Sequence, residues 1–197
     1  MTELTLDRLS PAKINLFLSV TGRRPDGYHE LTTLMACIDL YDRIVLTYTG
    51  NDIRLACDAP GIPEDESNLA FRAALLFQNA YQQHRGELPF TGLAIQLHKT
   101  IPAGAGLGGG SSNAATVLKA LNEQVTTPLP PEHMAALALQ IGADVPFFLY
   151  GQPALAAGIG EQLTPWSALP SYPVVVVFPG AGLATGEIYR SLNLRLT

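Results

Sequence analysis

The most distinctive part of this sequence is Pro102-Ala103-Gly104-Ala105-Gly106-Leu107-Gly108-Gly109-Gly110-Ser111-Ser112-Asn113, where residues 104–110 include five glycines. Because glycine has no Cβ, such a loop can bring its backbone N–H groups close to a ligand. An alternating strand pattern at residues 93–97 precedes it, and an apolar pattern with helical spacing follows it. A helix N-terminus adds N–H donors without partners and the positive end of the helix dipole. The stretch therefore predicts an anion site, most often for phosphate.

Other kinds of glycine-rich segment fit these residues less well. A P-loop of the form GxxxxGK(S/T) requires a lysine after its last glycine, where Ser111 and Ser112 stand instead. Gly104, Gly106 and Gly109 have the spacing of a dinucleotide-binding fingerprint, but no acidic residue follows about 20 positions later at the end of a second strand. A flexible linker would be rich in serine and polar residues on both sides. We therefore favour a phosphate-binding loop.

The composition restricts the class of protein. With 197 residues, of which 47% are hydrophobic and 15% charged, the chain is typical of a well-packed globular protein. A net charge of −5 argues against nucleic-acid binding, and no apolar run approaches the roughly 20 residues of a membrane span. The N-terminus lacks the features of a signal peptide, so we expect Cys37 and Cys57 to be free thiols in the cytoplasm. No cysteine and histidine cluster has zinc spacing.

Apolar alternation predicts several strands. Residues 12–20 alternate well, with Lys13 and Asn15 on the same face. Residues 29–49 predict two more strands. The continuous apolar run at residues 174–178 is typical of a strand buried on both faces.

Helical spacing and helix-end signals predict the helices. Ser67 or Asn68 is the expected N-cap of a helix over residues 69–83, and a second helix runs from the proline pair at 130–131 to a stop at Gly142. Residues 145–150 are short, aromatic and interrupted by a proline, which indicates a strand or an extended buried loop. Because strands and helices do not alternate regularly, we expect an α+β fold.

Four segments together resemble the GHMP kinases, small-molecule kinases whose glycine-rich loop wraps the phosphates of ATP. The glycine-rich stretch, extended to Ala115, closely resembles the second motif of that family, and Pro11-Ala12-Lys13-Ile14-Asn15-Leu16 resembles the first. Arg24-Pro25-Asp26-Gly27-Tyr28-His29 and Gly142-Ala143-Asp144-Val145-Pro146-Phe147-Phe148 are similar to one branch of the family, which acts on a CDP-linked methylerythritol. The resemblance runs from about residue 10 to about residue 190.

This resemblance implies a particular domain organisation. It places a GHMP kinase N-terminal ATP-binding domain, of the ribosomal protein S5 domain 2-like type, at residues 1–165. Residues 166–197 would begin a ferredoxin-like C-terminal domain. No residues after Gly182 match the third glycine-rich segment of the family, so we expect a chain truncated at its C-terminus. That expectation leaves open whether this chain alone is active.

The resemblance also implies a reaction and its catalytic residues. ATP would phosphorylate the 2-hydroxyl of 4-diphosphocytidyl-2-C-methyl-D-erythritol, in the non-mevalonate route to isoprenoid precursors. By the same resemblance, Asp144 would accept or orient the hydroxyl proton, Lys13 would keep Asp144 ionised and stabilise developing charge, and Asn15 would place the substrate. Without the resemblance, a solvated strand lysine and a helix-end aspartate would be the simpler interpretations.

Ligand-binding residues follow from the same match. Residues 102–112 would bind ATP, and Asn68 resembles a residue of the adenine pocket, a role compatible with its use as an N-cap. Tyr28 and His29 would recognise the cytosine, and Tyr189 would close its other face. Mg²⁺ is expected with ATP but without an identifiable protein ligand, since an N-cap role explains the two serines of the loop. The expected partners are small molecules, with the protein a monomer or weak homodimer.

Two alternatives remain open. The first is a GHMP kinase for another small alcohol, such as homoserine or a mevalonate-type acceptor, which the Asp26-Gly27-Tyr28-His29 turn disfavours. The second is a non-catalytic nucleotide-binding fragment or relative. The absence of the third glycine-rich motif favours it, whereas the presence of both Lys13 and Asp144 argues against it.

Overall fold

The computed structural model describes residues 4–25, 27–180 and 182. This part of the chain forms one mixed sheet and a set of helices, which confirms the expected α+β class. The elements, in chain order, are β1 (Thr5–Arg23), β2 (His29–Thr47), β3 (Ile53–Cys57), α1 (Leu69–Arg85), β4 (Leu93–His98), α2 (Gly109–Gln124), α3 (Pro131–Ile141), α4 (Val145–Tyr150), β5 (Ala154–Ala157) and β6 (Gln162–Pro165).

The first two strands form a long antiparallel hairpin. Thr5 lies opposite Thr47 at its open end, and Arg23 lies opposite His29 near its tip. The prediction of two strands within residues 29–49 was therefore wrong, and the strand predicted at 12–20 is longer at both ends. One of the register shifts in this hairpin is a bulge in β2. Pro11 pairs with Tyr41, whereas the next residue of β1, Ala12, pairs with Ile38. A bulge absorbs extra residues without ending the strand.

β2 is the strand through which the sheet is held together. Its C-terminal half pairs with β4 and its N-terminal half pairs with β5, while β1 pairs along its whole length. The sheet runs β3-β4-β2-β5-β6, and β3 and β4 are parallel because α1 forms the crossover between them. β1 therefore lies next to β2, the central strand in this order.

The helices confirm most of the end signals in the sequence. Asn68 is the N-cap of α1, as one of two predicted candidates, and Gly86 ends that helix in the left-handed conformation. α3 runs between the expected proline and Gly142. Residues from α1, α2 and α4, among them Phe77, Leu118 and Phe147, are buried in the core against the sheet. No helix in the described part of the chain is long and apolar enough to cross a bilayer.

Two segments differ from their predictions. Val145–Tyr150 is the helix α4 and not a strand or extended loop. Pro146 stands in its first turn, where the missing N–H would have no helical acceptor, so the proline does not oppose a helix. Residues 174–178 are neither a strand nor buried, and Val175 and Val177 are 89% and 84% exposed. An apolar run becomes a buried strand only where neighbouring strands supply backbone partners and covering side chains.

Candidate active site

The glycine-rich loop lies between β4 and α2, as predicted. Gly104, Gly106 and Gly108 adopt left-handed conformations with φ of 69°, 72° and 71°. Side chains with a Cβ rarely adopt this conformation, so the path of the loop depends on glycine at these positions. Gly108 is also the N-cap of α2, and the helix begins at Gly109.

The start of α2 presents a row of backbone donors. The Ser112 N–H donates to Gly108 O at 2.8 Å. The N–H groups of Gly109, Gly110 and Ser111 precede it and have no acceptor within the helix. Together with the helix dipole, they form the kind of terminus that binds phosphate.

The N-cap role expected for the two serines is wrong. Because Gly108 can take the left-handed conformation, α2 begins before either serine, and both lie inside its first turn. Ser112 is fully buried, and its Oγ accepts a hydrogen bond from Ser10 Oγ at 2.8 Å. Ser111 is partly exposed, so its hydroxyl is the one of the two that can face a ligand.

The loop packs directly on β1 and α4. Leu107 is buried with Ala12 and Ile101, and its carbonyl accepts a hydrogen bond from the Lys13 N–H at 2.9 Å. A Cβ added at Gly108 would stand 2.8 Å from Phe148 Cζ and 3.0 Å from Lys13 Cγ. Only glycine fits there without displacing one of these side chains. The loop is thereby held against the strand that carries Lys13.

Lys13 and Asp144 meet beside this loop. Lys13 Nζ lies 3.7 Å from Asp144 Oδ2, and the two side chains are 8% and 38% exposed. Lys13 is therefore a buried cation and not a solvated strand lysine. Asp144 stands at the N-cap of α4, yet its side chain makes no capping hydrogen bond. Its partly exposed carboxylate is free to interact with both Lys13 and a ligand.

Asn15 also contacts the ammonium of Lys13. Lys13 Nζ donates to Asn15 Oδ1 at 2.7 Å. Asn15 Nδ2 in turn donates to Thr33 Oγ1 at 2.8 Å, and the Thr33 hydroxyl donates to Phe17 O at 2.6 Å. This chain of hydrogen bonds orients the Asn15 amide so that its oxygen faces the lysine. Thr33 was not predicted as part of the site, because its role depends on pairing across the hairpin.

Asn68 uses both polar ends of its side chain locally. Its Oδ1 accepts from the Ala70 N–H at 2.9 Å, and its Nδ2 donates to Pro63 O at 2.7 Å. The next residue, Leu69, reaches to 3.6 Å from a Cβ added at Gly110. Asn68 therefore fixes the start of α1, and the neighbouring Leu69 lies next to the start of α2. Its predicted contact with adenine stays a prediction.

The predicted cytosine-binding pair lies at the tip of the hairpin. Tyr28 is 59% exposed, and its carbonyl accepts a hydrogen bond from the Arg24 N–H at 2.7 Å. His29 pairs with Arg23, ten positions along β1 from Lys13. The predicted contacts of Tyr28 and His29 with cytosine stay a prediction. Tyr189 lies outside the described residues.

Sequence reasoning missed a buried polar cluster behind the loop. Asp42 is fully buried, and its Oδ1 accepts from the N–H groups of Thr100 at 2.8 Å and Ile101 at 2.9 Å. Its Oδ2 accepts from the Lys99 ammonium and from Asn113 Nδ2. Asp42 is one of two aspartates in β2, and a carboxylate within a largely apolar strand segment is the signal that could have drawn attention to it, because buried carboxylates require several donors.

Neither a cluster of metal ligands among the described residues nor the cavity beside α2 lies at the loop. Across residues 4–25, 27–180 and 182, no three or more histidine, cysteine, aspartate or glutamate side chains are grouped to hold a metal ion. A cavity of about 510 Å³ opens instead beside the C-terminal half of α2, with Lys119, Met134 and Leu149 in its wall. Its wall contains none of the predicted site residues.

Comparison with known proteins shows the family of this chain. Residues 68–152 match the family model of the GHMP kinases N terminal domain. The 4-diphosphocytidyl-2-C-methyl-D-erythritol kinase of Geobacter sulfurreducens is 44% identical over 195 residues, which are 98% of this chain and 67% of that protein. The chain belongs to the GHMP kinase family. The kinase of the same name from Syntrophotalea carbinolica is 48% identical over 191 residues, 96% of this chain and 65% of the relative.

Solved structures include one from the same family and others that share the fold. A crystal structure of 4-(cytidine 5'-diphospho)-2C-methyl-D-erythritol kinase matches with a TM-score of 0.79 and 47% identity, over 94% of this chain and 64% of that one. Homoserine kinase from Cytophaga hutchinsonii matches at 19% identity with a TM-score of 0.58, over 82% and 51% of the two chains, which indicates a shared fold alone. The chain spans about two thirds of the length of the curated kinases it matches.

Proposed function

We propose that this protein transfers the γ-phosphoryl group of ATP to the 2-hydroxyl of 4-diphosphocytidyl-2-C-methyl-D-erythritol, in the non-mevalonate route to isoprenoid precursors. The observation that carries the proposal is the Lys13–Asp144 pair, which lies against the glycine-rich loop. The names of relatives at 44–48% identity support the choice of acceptor.

The loop and the start of α2 would hold the phosphates of ATP. The N–H groups of Gly109, Gly110 and Ser111 would donate to phosphate oxygens, and residues 102–108 would wrap around them. Asn68 would lie on the adenine side, since it caps α1 and the next residue, Leu69, lies beside Gly110 of α2. Phosphoryl transfer depends mainly on such positioning and on stabilisation of charge.

Asp144 and Lys13 would act at the reacting hydroxyl. As the bond from the hydroxyl oxygen to the γ-phosphorus forms, the bond from that phosphorus to the β,γ-bridging oxygen breaks, and ADP leaves. The hydroxyl proton passes to the Asp144 carboxylate. The Lys13 ammonium, fixed by Asn15, stabilises negative charge on the transferring group. A buried ammonium is stronger in this role than a solvated one, because less water screens it.

Mg²⁺ would accompany ATP. The oxygen donors near the loop, the partly exposed Ser111 hydroxyl and the Asp144 carboxylate, suit a small hard cation that keeps most of its phosphate and water ligands. When bound, the ion supplies charge neutralisation at the phosphates.

The acceptor would bind along the hairpin. Tyr28 and His29 at the tip would contact the cytosine, with Tyr189 on its other face, and the methylerythritol end would reach Asp144. We further propose an ATP-binding domain at residues 1–165 and the beginning of a second domain at residues 166–197. The reaction would take place in the cytoplasm, which agrees with two cysteines that form no disulfide, and the protein would act as a monomer or weak homodimer.

A product assay tests this proposal. The purified protein is incubated with ATP, Mg²⁺ and each of three acceptors: the CDP-linked methylerythritol, homoserine and mevalonate. We expect ADP and a phosphorylated product, identified by mass spectrometry, with the first acceptor alone. Phosphorylation of homoserine or mevalonate instead would contradict the choice of acceptor. ATP binding without any product would favour the non-catalytic nucleotide-binding alternative.

A further inference from the structure

The cluster around Asp42 connects both ends of the glycine-rich loop. Thr100 and Ile101, whose N–H groups donate to Asp42 Oδ1, come directly before the loop. Asn113, which donates to Oδ2 at 3.0 Å, lies in the first part of α2 directly after it. One carboxylate therefore fixes the distance between the start and the end of the residues proposed to hold the phosphates.

The cluster lies directly beneath the first residue of α2. A Cβ added at Gly109 would stand 3.0 Å from Ile101 Cγ2 and 3.2 Å from Lys99 Nζ. The helix backbone therefore packs on Lys99, whose ammonium contacts Asp42, and on Ile101, whose N–H donates to Asp42. A change at Asp42 would reach the N–H groups of the first turn through one layer of contacts.

Ser10 extends the cluster to β1. Its Oγ donates to Ser112 Oγ at 2.8 Å and accepts from Asn113 Nδ2 at 3.0 Å. Ser10 lies three residues before Lys13 on the same strand. The loop, the start of α2 and the strand of the proposed catalytic lysine are thus held by one set of buried hydrogen bonds.

The Lys99 ammonium is already paired within this cluster. It contacts Asp42 and donates to Asn113 Oδ1 at 3.1 Å, and its side chain is 9% exposed. It is therefore not available to bind phosphate in this arrangement. A buried ion pair generally adds little stability compared with well-packed apolar side chains, so a role in geometry explains the pair better than a role in stability.

We propose that Asp42 is a positioning residue for ATP: through Thr100, Ile101 and Asn113 it sets the loop so that the N–H groups at the start of α2 converge on the phosphates. This inference rests on the proposed function. It assigns to Asp42 an effect on ATP binding that does not extend to the acceptor, because the hairpin tip proposed to bind the cytosine lies outside the cluster.

The test compares Asp42→Asn with a matched control. An asparagine keeps an oxygen for Thr100 and Ile101, but its NH₂ group then faces the donors of Lys99 and Asn113. The control is Asp7→Asn, which breaks the exposed Asp7–Arg43 pair between the same two strands, where Arg43 Nη2 lies 2.6 Å from Asp7 Oδ2. The dissociation constants of ATP and of the CDP-linked acceptor are measured by calorimetry for the wild type and each variant.

We expect Asp42→Asn to weaken ATP binding about ten- to a hundredfold, the range for losing a buried charged hydrogen bond. Acceptor binding should stay within about twofold, and Asp7→Asn should change neither constant beyond that range, because exposed ion pairs contribute little. Equal weakening of both ligands by Asp42→Asn, or no weakening of ATP binding, would overturn the inference.

If Asp42→Asn does not fold, a less disruptive substitution in the same cluster tests the inference. Ser10→Ala removes one hydroxyl from the cluster and should weaken ATP binding about two- to tenfold, as expected for a neutral hydrogen bond. Unchanged ATP binding in Ser10→Ala would then overturn the inference. A wild-type protein that fails to bind ATP would instead refute the proposed function itself, so the two failures are distinguishable.

Discussion

The two halves of β1 share one partner strand but differ in their surroundings. In the first half Leu6, Ser10 and Lys13 are buried, whereas in the second half Leu16 and Leu18 are 44% and 45% exposed. Both halves pair with β2, so pairing alone does not bury a strand. The difference is that α2 packs on β1 and the glycine-rich loop contacts its Lys13. Lys13 belongs to the covered half and faces Asp144 at the start of α4, whereas Tyr28 and His29 lie beyond the open half.

The largest expected effect is at Asp144, which faces Lys13 of the covered half from the start of α4. Asp144→Asn should lower turnover about a hundredfold to ten-thousandfold, the range for losing a general base, with the ATP dissociation constant within about twofold of wild type. Steady-state kinetics and calorimetry measure the two quantities. Asp52→Asn, at an exposed aspartate paired with Arg54, is the control. Turnover above a tenth of the wild-type value would contradict the role of Asp144 as base.

The next prediction concerns ATP affinity and compares two glycines with the same backbone strain, only one of which has close neighbours. Gly108→Ala and Gly61→Ala both place a Cβ at positive φ, 71° and 78°, which costs roughly 1–2 kcal/mol of folding stability. The alanine at position 61 meets nothing within 4 Å, whereas the alanine at position 108 collides with Phe148 and Lys13. We expect both variants to have lower free energies of unfolding, and the variant at position 108 alone to bind ATP at least about tenfold more weakly. Similar ATP affinities in the two variants would show that the close packing of the loop is not required.

A smaller and more selective effect is expected at the open end. His29→Ala should raise the KM for the CDP-linked acceptor about tenfold, as for a lost hydrogen bond in a ligand site, and leave the KM for ATP within about twofold. His84→Ala, at an exposed histidine of α1, is the control. If the two KM values of the His29 variant rise equally, the hairpin tip does not read the cytosine.

The smallest effect concerns Tyr48, which should make folding stability depend on pH above pH 10. Tyr48 follows β2 and packs edge-on against Phe90 with ring centroids 6.0 Å apart, and burial raises its pKa to about 12. The unfolded chain ionises this tyrosine near pH 10, so its contribution to stability is fully present below pH 10 and is lost between about pH 10 and 12.

Denaturant unfolding of Tyr48→Phe from pH 8 to 12 measures this contribution. The free energy of unfolding should fall less steeply than in wild type above pH 10. Parallel curves for wild type and the variant at position 48 would show that the covered end of the hairpin does not exclude water from this phenol.

Most helices and the position of the glycine-rich loop were predictable because their signals are local. Asn68 and Gly142 mark helix ends through hydrogen bonds and conformations that involve only a few neighbouring residues. The strand predictions were less accurate. A strand obtains its hydrogen bonds from residues far away in sequence, so neither the single long β2 nor the exposed run at 174–178 could be derived from its own residues.

The site residues divide in the same way. Lys13, Asn15 and Asp144 were predicted as a group through the family resemblance, and the structure brings their side chains together. Asp42 was not predicted, because its four donors come from segments more than fifty residues further along the chain. No local pattern distinguishes such an aspartate from one on a solvated strand.

The sequence by itself determines where the backbone can turn sharply and where helices begin. Those properties belong to individual residues, such as the left-handed conformation open to Gly108 and the capping side chain of Asn68. The tertiary structure alone establishes which polar side chains are buried, and therefore that Lys13 is a shielded cation and Asp42 a buried anchor. Burial and pairing depend on what packs against a residue, and the packing partners in this fold come from distant parts of the chain.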